Sequence, residues 1–449
     1  MKKALALLLA CVMLFGIVGC GTNNTANNAT ANGDTAGQQE DASGGEKELT
    51  GEITFVAWGS DAEIACDEKA CEAFMEAYPG TTVKFEAIND SYGEVIETRF
   101  IGGQSPDVIY GHPQTLLSWM REGMLMPISD IYEEHHDELF NEELYSTNLY
   151  EAYYYDGEYY ATPVGADTSV LFYNKDILDA AGVPYPTADT TWEEFAEMCE
   201  KVTKREADGT PVNLGISSVT GLWQYILYAM GGKVLDDMNN PTEVVFESDA
   251  ALKMLNWIND NYQAEGGFTA SSDDWTYMSG GFSAGEMAFN ISGVYDIVWM
   301  TAIEDFEWDI APLPETMKEE GDTPVLYAGY AVSSQSKNPE LAKEFAYFMT
   351  TYEAQKIMAE TGLITPLRKD VALSEEVIDI PGAPEHHSLR VEGLPYAQNI
   401  QGQVLCWWEM TTAVDNYIYQ MVEGQITPED AMKNIQADCS ALLEAELAG

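Results

Sequence analysis

The chain has 449 residues, with 21 Lys+Arg against 75 Asp+Glu, a formal net charge of −54. So acidic a surface repels nucleic acid and anionic lipid head groups at long range, which excludes DNA or RNA as a partner. Only five arginines (Arg99, Arg121, Arg205, Arg368, Arg390) exist to meet a highly anionic ligand such as a nucleotide, and that class is disfavoured too.

Residues 1–19 begin with Met1-Lys2-Lys3 and run through the apolar stretch Ala4–Val18. A charged start, a short apolar core and small residues before a cut describe a secretory signal peptide. About 15 apolar residues also fall short of the ~20 that a membrane-crossing helix needs. The ending Ile17-Val18-Gly19-Cys20 resembles the bacterial lipoprotein pattern. That resemblance implies acylation (palmitate) at Cys20 and a chain anchored on the extracytoplasmic face of the cell membrane. The plainer alternative is a cleaved signal with a chance cysteine. Gly21–Glu48 has no bulky apolar residue and cannot offset its ordering entropy, so 20–48 is expected to be a flexible tether. The globular part starts near Leu49, and about 400 residues suit two sizeable lobes.

Ile53–Trp58 is a nearly continuous β run, and Ala62–Tyr78 reads as a helix stopped by Pro79-Gly80. Val83–Ile88 and Pro106–Tyr110 are further strands, so the order is βαβ and the class α/β. Thr191-Trp192-Glu193-Glu194 is a capping box opening a helix with the apolar stripe Trp192, Phe195, Cys199 and Val202. Ser248, Asn338-Pro339 and Thr427-Pro428 cap later helices. Beyond the leader and Cys20, the cysteines are Cys66, Cys71, Cys199, Cys406 and Cys439. Their odd number and the lack of a C-x-x-C spacing indicate neither a zinc site nor a redox pair.

Five patches follow one another in a telling order. They are Tyr159–Val164 running into Asp167–Asp176; Phe282–Gly293; Trp308–Pro314; Ser336–Phe345; and Gly362–Asp370. In this order and spacing they resemble the extracellular solute-binding proteins of ABC importers, the family that includes maltose-binding protein. The resemblance runs from about Gly51 to the C-terminus. It implies a two-lobed periplasmic-binding-protein-like fold (type II), with a ligand cleft between lobes joined by hinge segments, and closure around the ligand. It sets lobe 1 at 49–164 plus 311–364 and lobe 2 at 168–308 plus 368–449. The crossings then fall near Val164–Thr168, Ala311–Pro314 and Thr365–Lys369.

A neutral carbohydrate asks for polar partners to its hydroxyls and aromatic faces for its C–H surfaces. Trp58, Ser60 and Asp61 follow the first strand, where this family has its first cleft loop, and His112 and Gln114 follow the third. By resemblance, Asp167 matches an acidic residue that grips sugar hydroxyls. Tyr295 stands where maltose-binding members carry a stacking tryptophan, and Trp407 matches another, with Trp408 beside it. Trp275 and Trp299 fit no cleft loop. Each has a plainer reading, the tryptophans as core aromatics and Asp167 as a hinge cap.

Gly281-Phe282-Ser283-Ala284-Gly285 fits the G-x-S-x-G elbow, but the polar stretch Asp273–Gly280 is unlike the strand that must feed one. His135-His136 and His386-His387 lack an H-E-x-x-H frame, so no metal is expected. No cofactor is implied. The expectation is a non-enzymatic, monomeric receptor that captures a small solute, a mono- or oligosaccharide, and passes it to separate ABC permease subunits. A receptor for a cationic solute such as a polyamine is the alternative, and a surface glycosidase, with two carboxylates flanking a bond, the alternative from another class.

Overall fold

The computed structural model describes residues 49–262, 267–270, 278–318 and 322–448. The expected signal peptide (1–19), Cys20, the expected tether (20–48) and Trp275 lie outside the described residues.

Ile53, Phe55, Val56 and Ala57 are all buried in strand β1 (Gly51–Ala57). Helix α1 (Asp61–Ala77) follows, opened by a capping box: Ser60 N–H donates to Glu63 Oε2 (2.7 Å) and Glu63 N–H to Ser60 Oγ (3.4 Å). β2 (Thr81–Ala87) and β3 (Val108–Gly111) pair in parallel with β1 on its two sides. Parallel neighbours require crossover connections, and α1 supplies the first; α2 (Pro113–Arg121) then leaves β3. Strand β4 (Ala161–Asn174) pairs antiparallel, in its second half, with β5 (Phe289–Gly293) and β6 (Trp308–Pro312). Its first half pairs with β7 (Thr323–Val332), and β7 in turn with β3. β8 (Thr365–Pro366) joins β4, and β9 (Ala397–Asn399) joins β7. Among the described residues these strands make one nine-stranded sheet, ordered β6-β4-β7-β3-β1-β2 with β5, β8 and β9 attached. Two long helices, α3 (Trp407–Val422) and α4 (Pro428–Leu447), close the chain.

The buried apolar side chains divide into two large cores, which define the two lobes. The first gathers residues between Ile53 and Ala166 and between Val325 and Ala372, with Val391 and Leu394. The second gathers residues between Leu171 and Leu313 and between Ile400 and Leu443. β4 belongs to both. Its Leu171 and Tyr173 enter the second core, while Val170 and Phe172 pack on the other face with Phe282, Val294 and Trp308. Burial on both faces explains why Val170–Tyr173 within it reads as a continuous apolar run instead of an alternating one.

The cores put Ala311 and Leu313 in the second lobe and Leu367 and Ala372 in the first. The chain re-enters the first core along β7; after Ala372 its buried residues alternate, with Leu389 packed against β4 and β6, Val391 and Leu394 in the first core, and the residues from Ile400 onward in the second. Asn338 is another departure. It makes no side-chain cap, and its Nδ2 donates to the Glu52 carbonyl (3.0 Å), tying the helix start to β1. The Thr191, Ser248 and Thr427 caps form as expected. All five cysteines of the described residues are free thiols, and burial pushes the Cys66, Cys71, Cys199, Cys406 and Cys439 thiols up, away from the reactive thiolate.

The hinge contains one position with no room for a side chain. A Cβ on Gly165 would lie 1.9 Å from the Thr365 carbonyl oxygen of β8. Gly165→Ala should cost about 1–3 kcal/mol through overpacking, read as a lowered urea midpoint. An unchanged midpoint would mean that β8 is not held against β4.

Candidate functional site

The cleft side of the first lobe is built where β1 and β3 end. The half-buried Trp58 ring has its centroid 4.6 Å from Tyr92, 4.6 Å from Tyr110 and 5.1 Å from His112, in tilted or edge-on packing. Tyr92 is locked in turn, its hydroxyl donating to the Tyr110 carbonyl (2.8 Å) and the Val56 carbonyl (3.2 Å). His112 sits one residue before α2, with Nδ1 2.7 Å from the Tyr327 carbonyl of β7. A carbonyl only accepts, so Nδ1 carries the proton and Nε2 is left as an acceptor. Burial holds the ring below the usual imidazole range, which keeps it neutral.

Ser60 and Asp61 do less than the sequence suggests. Ser60 spends its hydroxyl on the α1 cap, and Asp61 is an exposed first-turn residue. The acid that matters nearby is Glu63. Its charge acts on both Tyr110 and Asp167, so it belongs to the same neighbourhood.

Asp167 lies on β4 at the crossing. Its Oδ1 is sealed from solvent and has no protein partner, although the residue as a whole is only half-buried. Burial pushes the carboxyl up to about 7; the Arg390 guanidinium and the Thr365 backbone amide pull the other way, and Glu63 adds to the rise. Arg390 is fully buried, on the short helix Leu389–Glu392. It donates from Nε to Thr365 Oγ1 (3.2 Å), from Nη1 to His387 Nε2 (3.1 Å) and from Nη2 to the Gly362 carbonyl (3.2 Å). Burial lowers its pKa to about 10 despite Asp167. Desolvation thus outweighs the mutual attraction on both partners. Sequence reasoning passed over Arg390; the available signal was a lone arginine flanked by Leu389 and Val391 in a chain with few arginines.

From the second lobe come Tyr295 and Trp408. Tyr295 lies on the turn after β5, folded against Gly293, where a Cβ would meet its ring at 2.3 Å. Its hydroxyl accepts from Ser292 Oγ (3.2 Å), and Tyr225, pushed up to about 12 by burial, is its neighbour along with Asp296. Trp408 is 55% exposed on the first turn of α3. Trp407, expected as a stacking face, requires correction: it is fully buried in the second core, with Gly402 pressed against its ring. The two rings are consecutive on a helix and point about 100° apart; only one can face outwards.

Gln114 joins the lobes. From the first turn of α2 its Nε2 donates to the Val404 carbonyl (3.3 Å), and its Oε1 accepts from Trp408 Nε1 (3.3 Å). The structure therefore brings Trp58 to His112 and Gln114 to Trp408, and sets Asp167 beside Glu63 and Arg390. Tyr295 stands with Tyr225.

Two other clusters carry no chemistry of their own. Ser283 donates to the Gly280 carbonyl (3.1 Å) within a run of turns. Asp309, Glu385 and His386 offer ligand atoms close together, but the Lys175 ammonium already lies 3.4 Å from Asp309 and 3.5 Å from Glu385. Asp309 also accepts from Tyr173 (3.1 Å), from the His386 amide (3.1 Å) and from the Ile310 amide (2.9 Å). A cation-filled, fully bonded carboxylate is a tether for the 385–387 segment and a poor metal ligand.

The family model for bacterial extracellular solute-binding proteins matches residues 60–356. Among curated relatives, the galactooligosaccharide-binding protein of Bacillus subtilis is 23% identical over 88% of this chain and 90% of its own length. The arabinooligosaccharide-binding protein of the same organism is 26% identical over 76% and 79%. Among solved structures, an ABC substrate-binding protein of Listeria monocytogenes in complex with cycloalternan superposes with a TM-score of 0.72 at 24% identity, over 88% of this chain and all of that one.

Proposed function

We propose, for a chain that belongs to the bacterial extracellular solute-binding protein family, that it captures a mono- or oligosaccharide between its lobes and delivers it to an ABC permease. The family binds solutes and does not convert them, and it works outside the cytoplasm. The observation that supports the reading most is the Gln114–Trp408 bridge from one lobe to the other, two residues along the chain from the His112 ring that packs on Trp58. An exposed indole face, a half-buried one, a neutral imidazole acceptor and a carboxylate are what a sugar requires. The binding of oligosaccharides by relatives that align over most of this chain points the same way. In this reading Trp58, His112, Gln114, Asp167, Tyr295 and Trp408 contact the ligand, and Cys20 carries a lipid that keeps a monomeric receptor at the membrane. The Lys-Lys start, the apolar run and the Ile-Val-Gly-Cys ending support the anchor.

Thermal melts of residues 49–449 against a panel of oligosaccharides, monosaccharides, amino acids and polyamines test this. A ligand at about 100 times its Kd adds about 2.7 kcal/mol, so the correct sugar should raise the melting temperature clearly. A rise with polyamines alone would replace the sugar reading with the cationic one.

A further inference from the structure

The crossing strands have a second face. In the β4–β7 ladder Asp167 stands opposite Leu326 and Ala166 opposite Tyr327. Successive side chains on a strand point to opposite faces, so Tyr327 projects away from the side that carries Asp167. There it lines a polar crevice of about 480 Å³. One wall is Glu151, on the Thr147–Tyr153 turn that packs into the first core; the other is the Lys233–Asn239 loop, whose Val234, Leu235 and Met238 belong to the second. The crevice is thus bounded by both lobes and floored by the hinge.

Its floor and wall hold polar atoms without a protein partner. Asn399 on β9 is 4% exposed, and its Oδ1 accepts from the Gln401 amide (3.0 Å), which fixes the amide's orientation. Its Nδ2 is sealed from solvent and donates to no protein atom. On the second-lobe wall, Asn239 Oδ1 is sealed and has no donor. Such groups are costly to leave bare and favour a ligand that satisfies them. A ligand reaches them once the two side chains turn into the crevice that they line, and it then accepts from Asn399 and donates to Asn239. Glu151, Asp236 and Asp237 against the single Lys233 repel an anion. A hydroxyl both donates and accepts, and carries no charge.

We infer that this rear crevice is a second binding site, for a small uncharged polyhydroxy compound, and that its occupancy favours closure of the cleft. The coupling follows from geometry. In this structure Gln114 and Trp408 bridge the cleft side while the rear crevice is open. Swinging the lobes apart about the same crossing strands narrows the rear as it widens the cleft. A rear ligand therefore binds the bridged form better, and the two sites strengthen each other by the same factor. The coupling half rests on the cleft reading above; the site half does not.

Calorimetric titration of the full chain with myo-inositol, D-sorbitol and D-galactose tests the site. The parent, a cleft variant that keeps the Gln114–Trp408 bridge (Asp167→Asn) and two rear variants (Asn399→Leu and Asn239→Leu) are compared, with melts to show that each folds. At least one probe should bind the parent and the cleft variant alike and bind the folded rear variants at least tenfold more weakly. Two results overturn the site: binding lost in the cleft variant and kept in both rear variants, and binding of none of the probes to the parent. Asn239 lies on an exterior loop, so its variant still decides the matter should Asn399→Leu fail to fold. With the rear saturated, a sugar found in the thermal panel should bind the cleft at least about fivefold more tightly. Unchanged or weaker cleft binding would overturn the coupling and leave the site standing.

Discussion

Replacing Trp407 with alanine should destabilise the protein by about 3–5 kcal/mol, the largest effect of any single substitution discussed above. The ring is 0% exposed in the second core, at the start of α3, with the Gly402 backbone against it; a Cβ there would stand 2.6 Å from its Cε3. Truncation leaves a cavity of indole size in a site closed by backbone, which cannot collapse to fill it. Trp408→Ala is the control one residue away. Its ring is 55% exposed, so its loss should change stability by no more than about 1 kcal/mol while removing the bond to Gln114. Urea denaturation of both variants separates the roles. If Trp407→Ala unfolded like the parent and Trp408→Ala did not, the assignment of the outward face would be reversed.

Asp167→Asn should lower sugar affinity by about 10- to 150-fold, the value of a hydrogen bond to a charged group. The charge state of this carboxyl adds a pH signature. In the ligand-free protein its pKa stands near 7, with Arg390 opposing the rise and Glu63 and the Tyr110 phenol also facing it. Sugar hydroxyls donate best to the ionised form. Affinity should therefore fall about tenfold per pH unit below 7 and level off above it, and Asp167→Asn should abolish the slope. Binding isotherms from pH 5 to 8 read both; a parent whose affinity is flat across that range would remove Asp167 from the ligand contacts.

Stability carries the complementary sign. Asp167 titrates higher folded than unfolded, so between about pH 4 and 7 the folded chain holds an extra proton, and this contribution is lost as pH rises through that window. His387 is the reverse. Burial and Arg390 lower it to about 4, so the unfolded chain takes up the proton first and stability falls as pH drops below about 6.5. In the parent the two slopes oppose each other. Asp167→Asn removes the opposing slope, and the variant should lose stability on acidification more steeply than the parent.

Local signals were legible where short-range chemistry decides the outcome. The Thr191–Glu194 capping box, the Trp192–Val202 stripe and strand β1 form where the residues say they should, because each depends on neighbours within a few positions. The outward tryptophan was not legible. Trp407 and Trp408 have the same chemistry, and the rotation of α3 is set by its packing on Gly402 and the rest of the second core. The partition of the buried cores near residue 311 was not legible for a related reason. The sequence reading puts a crossing near Ala311–Pro314, but β6 pairs with β4 as far as Pro312, and Ala311 and Leu313 pack in the second core. The polar knot of Arg390, His387, Thr365 and Gly362 joins residues up to 28 positions apart and has no local pattern to betray it.

The shared strand β4 also fixes an order of assembly. A chain made from its N-terminus has the partners of the second half of β4 in hand once β6 ends at Pro312, so the sheet of the second lobe can close first. The first lobe must wait for β7, from Thr323 onward, to lie between β3 and β4. Until then β3 is an open edge with unpaired backbone groups, the kind of surface on which other chains can template. The half of the protein that is synthesised first is the last whose sheet can be finished.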